Sequence, residues 1–152
     1  GGRYREGSSM ALSDSEIQDA LAGKSLVIDP FDEASLNPGG YDLRLSAEVA
    51  LEPSEHRLVA TMERVELSRD LVGVLHIRSS LAREGVLASL ALVDPGFRGQ
   101  LTISLFNGGN KSIRLKAGER FVQLTLLRLG RQAATKYEGR YQDSRGIVGS
   151  RR

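Results

Sequence analysis

The sequence predicts an all-β protein, a sandwich or barrel of many short strands preceded by one short helix. Period-two alternation of apolar and polar residues recurs from Tyr41 onward, and turn residues interrupt it at close intervals. The 152 residues suit a single domain able to bury a core without staples.

Ser13-Asp14-Ser15-Glu16 reads as a capping box, with acidic side chains at the positive end of the helix dipole. Ile17, Ala20 and Leu21 follow at helical spacing, and Gly23 is placed to close the helix in the left-handed conformation. Such a helix, about three turns long, would cover an edge or end of a sheet. Leu26, Ile28 and Phe31 read as an extended segment, and Asn37-Pro38-Gly39-Gly40 as a turn. Over 41–51 a single strand is expected, with Tyr41, Leu43, Leu45, Ala47, Val49 and Leu51 inward and Asp42, Arg44, Ser46 and Glu48 toward water. Further strands fit 57–60, 65–67 and 71–77, then an apolar arm at 86–93, an alternating arm through Leu101, Ile103 and Leu105, and finally 112–115 and 120–129.

Between the two arms lies Asp94-Pro95-Gly96-Phe97-Arg98-Gly99. Pro fixes φ, Gly supplies a positive φ and Asp can bond its own downstream backbone, so a plain hairpin turn would use these residues too. Read as chemistry, an acid leaving an apolar strand ahead of Phe97 and Arg98 can face a pocket floored by a ring.

The chain has no Cys, hence no disulfides and no thiolate zinc site. Neither His56 nor His76 is followed two residues later by Glu, which excludes the zinc deaminase signature. No apolar run approaches the ~18 residues of a membrane span, and no signal peptide opens the chain. A soluble, cytoplasmic protein is expected. The net charge of +2 argues against a dedicated nucleic-acid binder but permits local Arg residues around a polyphosphate. Residues 1–9, GGRYREGSS, read as an expression-tag remnant before Met10; 10–130 form the β domain. Residues 131–152 carry Arg131, Arg140, Arg145, Arg151 and Arg152 with three Gly and no apolar period, as a solvated basic tail would.

Four motifs stand in order along the chain: Gly40-Tyr41-Asp42-Leu43-Arg44, Arg78-Ser79-Ser80-Leu81-Ala82-Arg83, Val93-Asp94-Pro95-Gly96-Phe97-Arg98-Gly99 and Gly118-Glu119-Arg120-Phe121-Val122-Gln123-Leu124. Together they resemble the superfamily of trimeric dUTPases and zinc-free dCTP deaminases, over most of the chain after Met10. The resemblance implies a distorted jelly roll of the dUTPase-like β-clip kind, a homotrimer with sites shared between subunits, and a deoxynucleoside triphosphate substrate, dUTP or dCTP. Mg2+ would arrive with the triphosphate, because this ion seldom has an all-protein cage.

The same resemblance assigns roles. Asp94 would activate water for attack on the α-phosphate, with Arg78 as the second catalytic residue. Ser79, Ser80 and Gln123 would contact phosphates, where Arg binds bidentately. Phe97 would lie under the deoxyribose, so that a 2′-hydroxyl clashes, although the same Phe would serve equally as core. Arg83 completes RSSLAR, Asp42 would sit near the metal-bound water, and Tyr137 and Arg145 belong to the segment that would close over nucleotide. His76 reads as a structural strand residue.

Two branches of the superfamily then compete. Deaminases resemble one another in a Glu ten residues after the matched aspartate, where this chain has Ser104, a hydroxyl with no partner base evident in the sequence. They also carry His where this chain has Ala91. These positions favour a dUTP diphosphatase yielding dUMP and pyrophosphate, with a dCTP deaminase, or an enzyme with both activities, as the alternative. Against the first stand Ala88, where an Asn would read uracil, and Val148, where an aromatic would stack on the base. A catalytically silent nucleotide-binding module is the remaining reading, and Asp94 argues against it.

Overall fold

A computed structural model describes residues 11–88 and 91–152. The expression-tag remnant proposed at 1–9, and Ser89 and Leu90 of the first apolar arm, lie outside the described residues. The capping box is made: Ser13 Oγ accepts from the Glu16 amide at 3.3 Å and Glu16 Oε1 accepts from the Ser13 amide at 3.2 Å. This opens α1 (Asp14–Ala22), whose Ile17 and Ala20 are buried where the helix packs beside β1 (Leu26–Asp29). The helix end differs from expectation. Gly23 keeps a φ of −82° and donates to the Asp19 carbonyl, so the reversal falls one residue later, on Lys24 with φ +60°.

The remaining strands are β2 (Leu36–Asn37), β3 (Gly40–Arg44), β4 (Val49–Leu51), β5 (His56–Leu67), β6 (Leu71–Ile77), β7 (Val86–Ala88), β8 (Leu92–Val93), β9 (Arg98–Asn107), β10 (Ile113–Leu115) and β11 (Arg120–Arg128). A second, five-residue helix, α2 (Ser79–Arg83), interrupts them and was not expected. Two antiparallel sheets, ordered β1-β5-β9-β7 and β2-β3-β11-β6-β8, are accompanied by a separate two-stranded β10-β4 pair. Val59, Ile103 and Leu105 from one sheet and Leu75, Leu124 and Leu126 from the other meet in one buried cluster. The expected all-β jelly roll with a short N-terminal helix is the fold observed. Among the described residues no helix is long and apolar enough to cross a membrane.

Two strand expectations need correction. The segment 41–51 is not one strand: β3 stops at Arg44, Leu45 bridges to Thr61, and β4 leaves to pair with β10. Nor does β3 have a wet face, because Gly40 through Leu43 are all buried between β2 and β11. Conversely, 57–60 and 65–67 are two halves of the single strand β5. Its pairing with β9 jumps from Ala60↔Thr102 to Arg64↔Gln100 across a bulge. Thr61 fastens that bulge, its Oγ1 donating to the Glu63 carbonyl at 2.8 Å and accepting from the Leu101 amide at 3.1 Å. The bulge leaves Glu63 facing the interior, where it is fully buried and accepts from the Tyr41 hydroxyl at 3.0 Å and from the Arg44 amide and Nε, each at 2.9 Å. Burial, with the Glu63 carboxylate adding to it, pushes the Tyr41 phenol up to about 12. Tyr41 and Arg44 of the Gly-Tyr-Asp-Leu-Arg motif are therefore structural.

Candidate active site

The corner at Asp94 is not a hairpin. β8 pairs with β6 of the five-stranded sheet, whereas β9 pairs with β5 and β7 of the other, so residues 94–97 carry the chain from one sheet to the next. Alternation in the sequence marks which face of a strand is apolar and says nothing of its partner, which is why the two arms looked paired. Within the corner the Phe97 amide donates to the Asp94 carbonyl at 3.0 Å, with Pro95 second and Gly96, at φ +85°, third. That is the residue order a type II turn requires. Gly96 N–H and Phe97 C=O both bond Leu67, locking the corner onto the end of β5.

Residues 131–152, which composition reads as a solvated tail, lie along this corner. The Tyr137 amide donates to the Pro95 carbonyl at 2.8 Å, and the Gln142 side chain bonds the Arg98 amide, the Gly96 carbonyl and the Tyr137 carbonyl. Arg98 grips Asp143 through Nε at 2.8 Å and Nη2 at 2.9 Å, and this hydrogen-bonded pairing holds the Asp143 carboxyl below its ordinary value. Ser144 then runs beside Gly99, and the Val148 amide donates to Thr102 Oγ1 at 2.9 Å. A Cβ on Gly96 would come within 2.5 Å of Lys136 Cβ, so the close fit of tail and corner needs glycine there.

Corner, tail and the outer face of β5 and β9 enclose a cavity of about 450 Å³, within the usual range for a small-molecule site. Its walls are chiefly apolar. Phe97 is 6% exposed, belongs to the core and also lines this cavity, with the Tyr137 ring edge-on at a centroid distance of 5.6 Å. Phe97 is thus a core residue that also presents part of its ring to the cavity. Asp94 lies exposed on the rim, and Val148 also reaches the lining.

At the far side of the cavity stands a pair that the sequence reading passed over: His56 Nε2 is 2.7 Å from Ser104 Oγ. The two are 48 residues apart and meet because β5 and β9 register His56↔Phe106 and Leu58↔Ser104, making His56 and Ser104 diagonal neighbours on one face. No local spacing announces this; only the strand register does. The premise that Ser104 lacks a partner base is therefore wrong.

The other expected site residues form a second cluster elsewhere. Arg78, Ser79, Ser80, Arg83 and Gln123 do not line the cavity. Arg78 precedes the first turn of α2 and sends Nε to Asp42 Oδ2 at 3.3 Å, with Arg120 Nη1 3.9 Å from the same oxygen. Gln123 sits opposite Asp42 in the β11–β3 register, while Ser79, Ser80 and Arg83 are exposed. Arg145 is exposed on the tail and outside the cavity lining. Asp42 is only 3% exposed and faces the guanidinium groups of Arg78 and Arg120. Among the described residues no group of three His, Asp or Glu side chains could hold a metal ion.

Comparison with known proteins follows the same lines. Residues 45–129 match the family model described as dCTP deaminase-like. The dCTP deaminase of Thermococcus gammatolerans is 44% identical over 94% of this chain and 98% of its own length. Among solved structures, the 2′-deoxycytidine 5′-triphosphate deaminase of Agrobacterium tumefaciens superposes with a TM-score of 0.70 at 18% identity, covering 80% of this chain and 49% of that one. This chain thus spans about half the length of that deaminase. The EIAV dUTPase superposes with a TM-score of 0.58 at 21% identity, over 76% of this chain and 98% of its own, and shares the fold. The dCTP deaminase relatives overturn the expectation that dUTP diphosphatase is the activity. That expectation had rested on Ser104 and Ala91 standing where deaminases carry Glu and His; of these, Ser104 is found beside an imidazole that the sequence did not place there. By motif, fold and relatives alike, the chain belongs to the dCTP deaminase-like family of nucleotide-metabolising enzymes within the dUTPase and dCTP deaminase superfamily.

Proposed function

We propose that this chain hydrolyses the exocyclic amine of dCTP, giving dUTP and ammonia. The observation that carries the reading is identity of 44% over nearly the whole length of a relative named dCTP deaminase. The cavity supports it: apolar walls that include Phe97 and Tyr137 suit a base and a deoxyribose, and Asp94 and the His56–Ser104 pair supply polar groups at opposite sides.

Arg78, Ser79, Ser80 and Gln123, with Arg83 beside them, serve as the triphosphate cradle, and Arg145 on the tail adds a further cation for phosphate. Because that cluster does not line the cavity of its own chain, the cradle is supplied by a neighbouring subunit of a homotrimer. Exposed Leu87 and Leu92, at 61% and 59%, provide apolar surface beside the cavity for such an interface. Mg2+ enters with the triphosphate, held by phosphate oxygens and water, and charge neutralisation is what it contributes. The chain's own residues orient the base, exclude bulk water beneath the tail and move protons.

Incubation of the protein with dCTP or dUTP and Mg2+, followed by chromatographic separation of nucleotides, tests the reading. Conversion of dCTP to dUTP is expected. Release of dUMP and pyrophosphate from dUTP with dCTP left intact would overturn it.

A further inference from the structure

We infer that His56 and Ser104 together form the proton-transfer pair for this deamination, an inference that rests on the reading just given. The chemistry needs one group beside C4 of the cytosine that can both take and return a proton. Most polar side chains in the cavity are already committed. Gln100 donates from Nε2 to the Thr61 carbonyl at 2.9 Å and accepts at Oε1 from the Gly146 amide at 2.7 Å. Thr102 Oγ1 receives the Val148 amide, and Ser144 Oγ donates to the Tyr141 carbonyl at 2.6 Å. His56 and Ser104 bond only each other among the described side-chain contacts, and the imidazole is exposed at the rim where it can exchange protons with solvent.

A hydroxyl 2.7 Å from an imidazole nitrogen is arranged as a relay. With Nδ1 carrying the imidazole proton, Nε2 accepts from Ser104 Oγ, whose free lone pair faces the cavity and can accept from water. Water oxygen bonds C4 while its proton passes through Ser104 and His56 and is returned to N3, giving a neutral tetrahedral adduct. The adduct's hydroxyl proton then travels by the same pair to the amino nitrogen. The C4–N4 bond breaks, the C4 carbonyl forms and ammonia leaves, so dCTP and water become dUTP and ammonia with nothing left over. No oxidant, reductant or metal-bound species is required.

The test compares wild type, His56→Ala and Ser104→Ala, with dCTP as substrate and ammonia as product, and repeats His56→Ala with added imidazole. Each substitution is expected to lower kcat by about a hundredfold or more with little change in KM, and the double variant to be no slower than the singles, because the two act as a unit. Imidazole should restore turnover to His56→Ala and leave Ser104→Ala unaffected, a rescue that loss of a merely structural contact would not give. Should His56→Ala fail to fold by thermal unfolding, His56→Gln replaces it, and Ser104→Ala tests the pair independently. Wild-type kcat in both single variants, or a rise in KM alone, would overturn the proton-transfer role while leaving dCTP deamination standing. A wild-type protein that leaves dCTP untouched would overturn the deaminase reading and the pair's role with it.

Discussion

Glu63 gathers the Tyr41 hydroxyl and both the amide and the guanidinium of Arg44 on a carboxylate that water does not reach. Truncating it by Glu63→Ala removes the carboxylate that pairs with the Arg44 guanidinium and accepts from the Tyr41 hydroxyl, leaving Arg44 only Asp32 and the Pro30 carbonyl; the change is expected to cost about 3 kcal/mol, read as a lowered urea midpoint at matched protein concentration. An unchanged midpoint would mean that Arg44 finds an equivalent partner, for which Asp32 at 3.5 Å is the candidate. The motif holding Tyr41 and Arg44 was legible in the sequence as a motif, but its role was not, because Glu63 reaches them only through a bulge that no alternation pattern announces. Ser104 makes the same point for chemistry. Its identity is plain in the sequence, whereas its partner is fixed by a strand register 48 residues away.

At the scale of elements, the corner 94–97 and the tail 131–152 form one unit. Gly96→Ala would force a Cβ into a left-handed position and within 2.5 Å of Lys136 Cβ, displacing the tail. Faster trypsin cleavage at Arg140 and Arg145, with the β core still protected and KM for dCTP raised severalfold, is expected; protection equal to wild type would show the corner tolerates the methyl group. Asp143 ties the same unit through Arg98. Its carboxyl is held below the ordinary 3.8, so the tie contributes above that pH and is lost as pH falls through the lowered folded value. Asp143→Asn should reproduce the acid state at neutral pH, seen as faster exchange of the backbone amides of Gln100 and of position 143, whose N–H groups bond across the tail contact. The capping box of α1 was legible because all its partners lie within four residues. The corner was misread as a hairpin because its two strands belong to different sheets, and sheet membership is settled by packing.

Over the whole molecule, the two clusters of candidate residues occupy separate places on one chain, which is the arrangement expected if subunits complete one another's sites. An Arg78→Ala chain and a Ser104→Ala chain, each inactive alone, should regain activity when unfolded together and reassembled, with about one site in four intact for a cyclic trimer of random composition. Reassembly without recovery would place both clusters' work within a single chain. The all-β class was readable from short alternating segments and turns, and the jelly roll from motif resemblance; the crossing of the chain between sheets was not. The proposed deamination requires that water attack the base and not the phosphate chain. Turnover of dCTP in oxygen-18 water, with mass analysis of the products, tests this most directly: the heavy oxygen is expected on C4 of the uracil in an otherwise intact dUTP, and heavy oxygen in phosphate or pyrophosphate with an unlabelled base would contradict it.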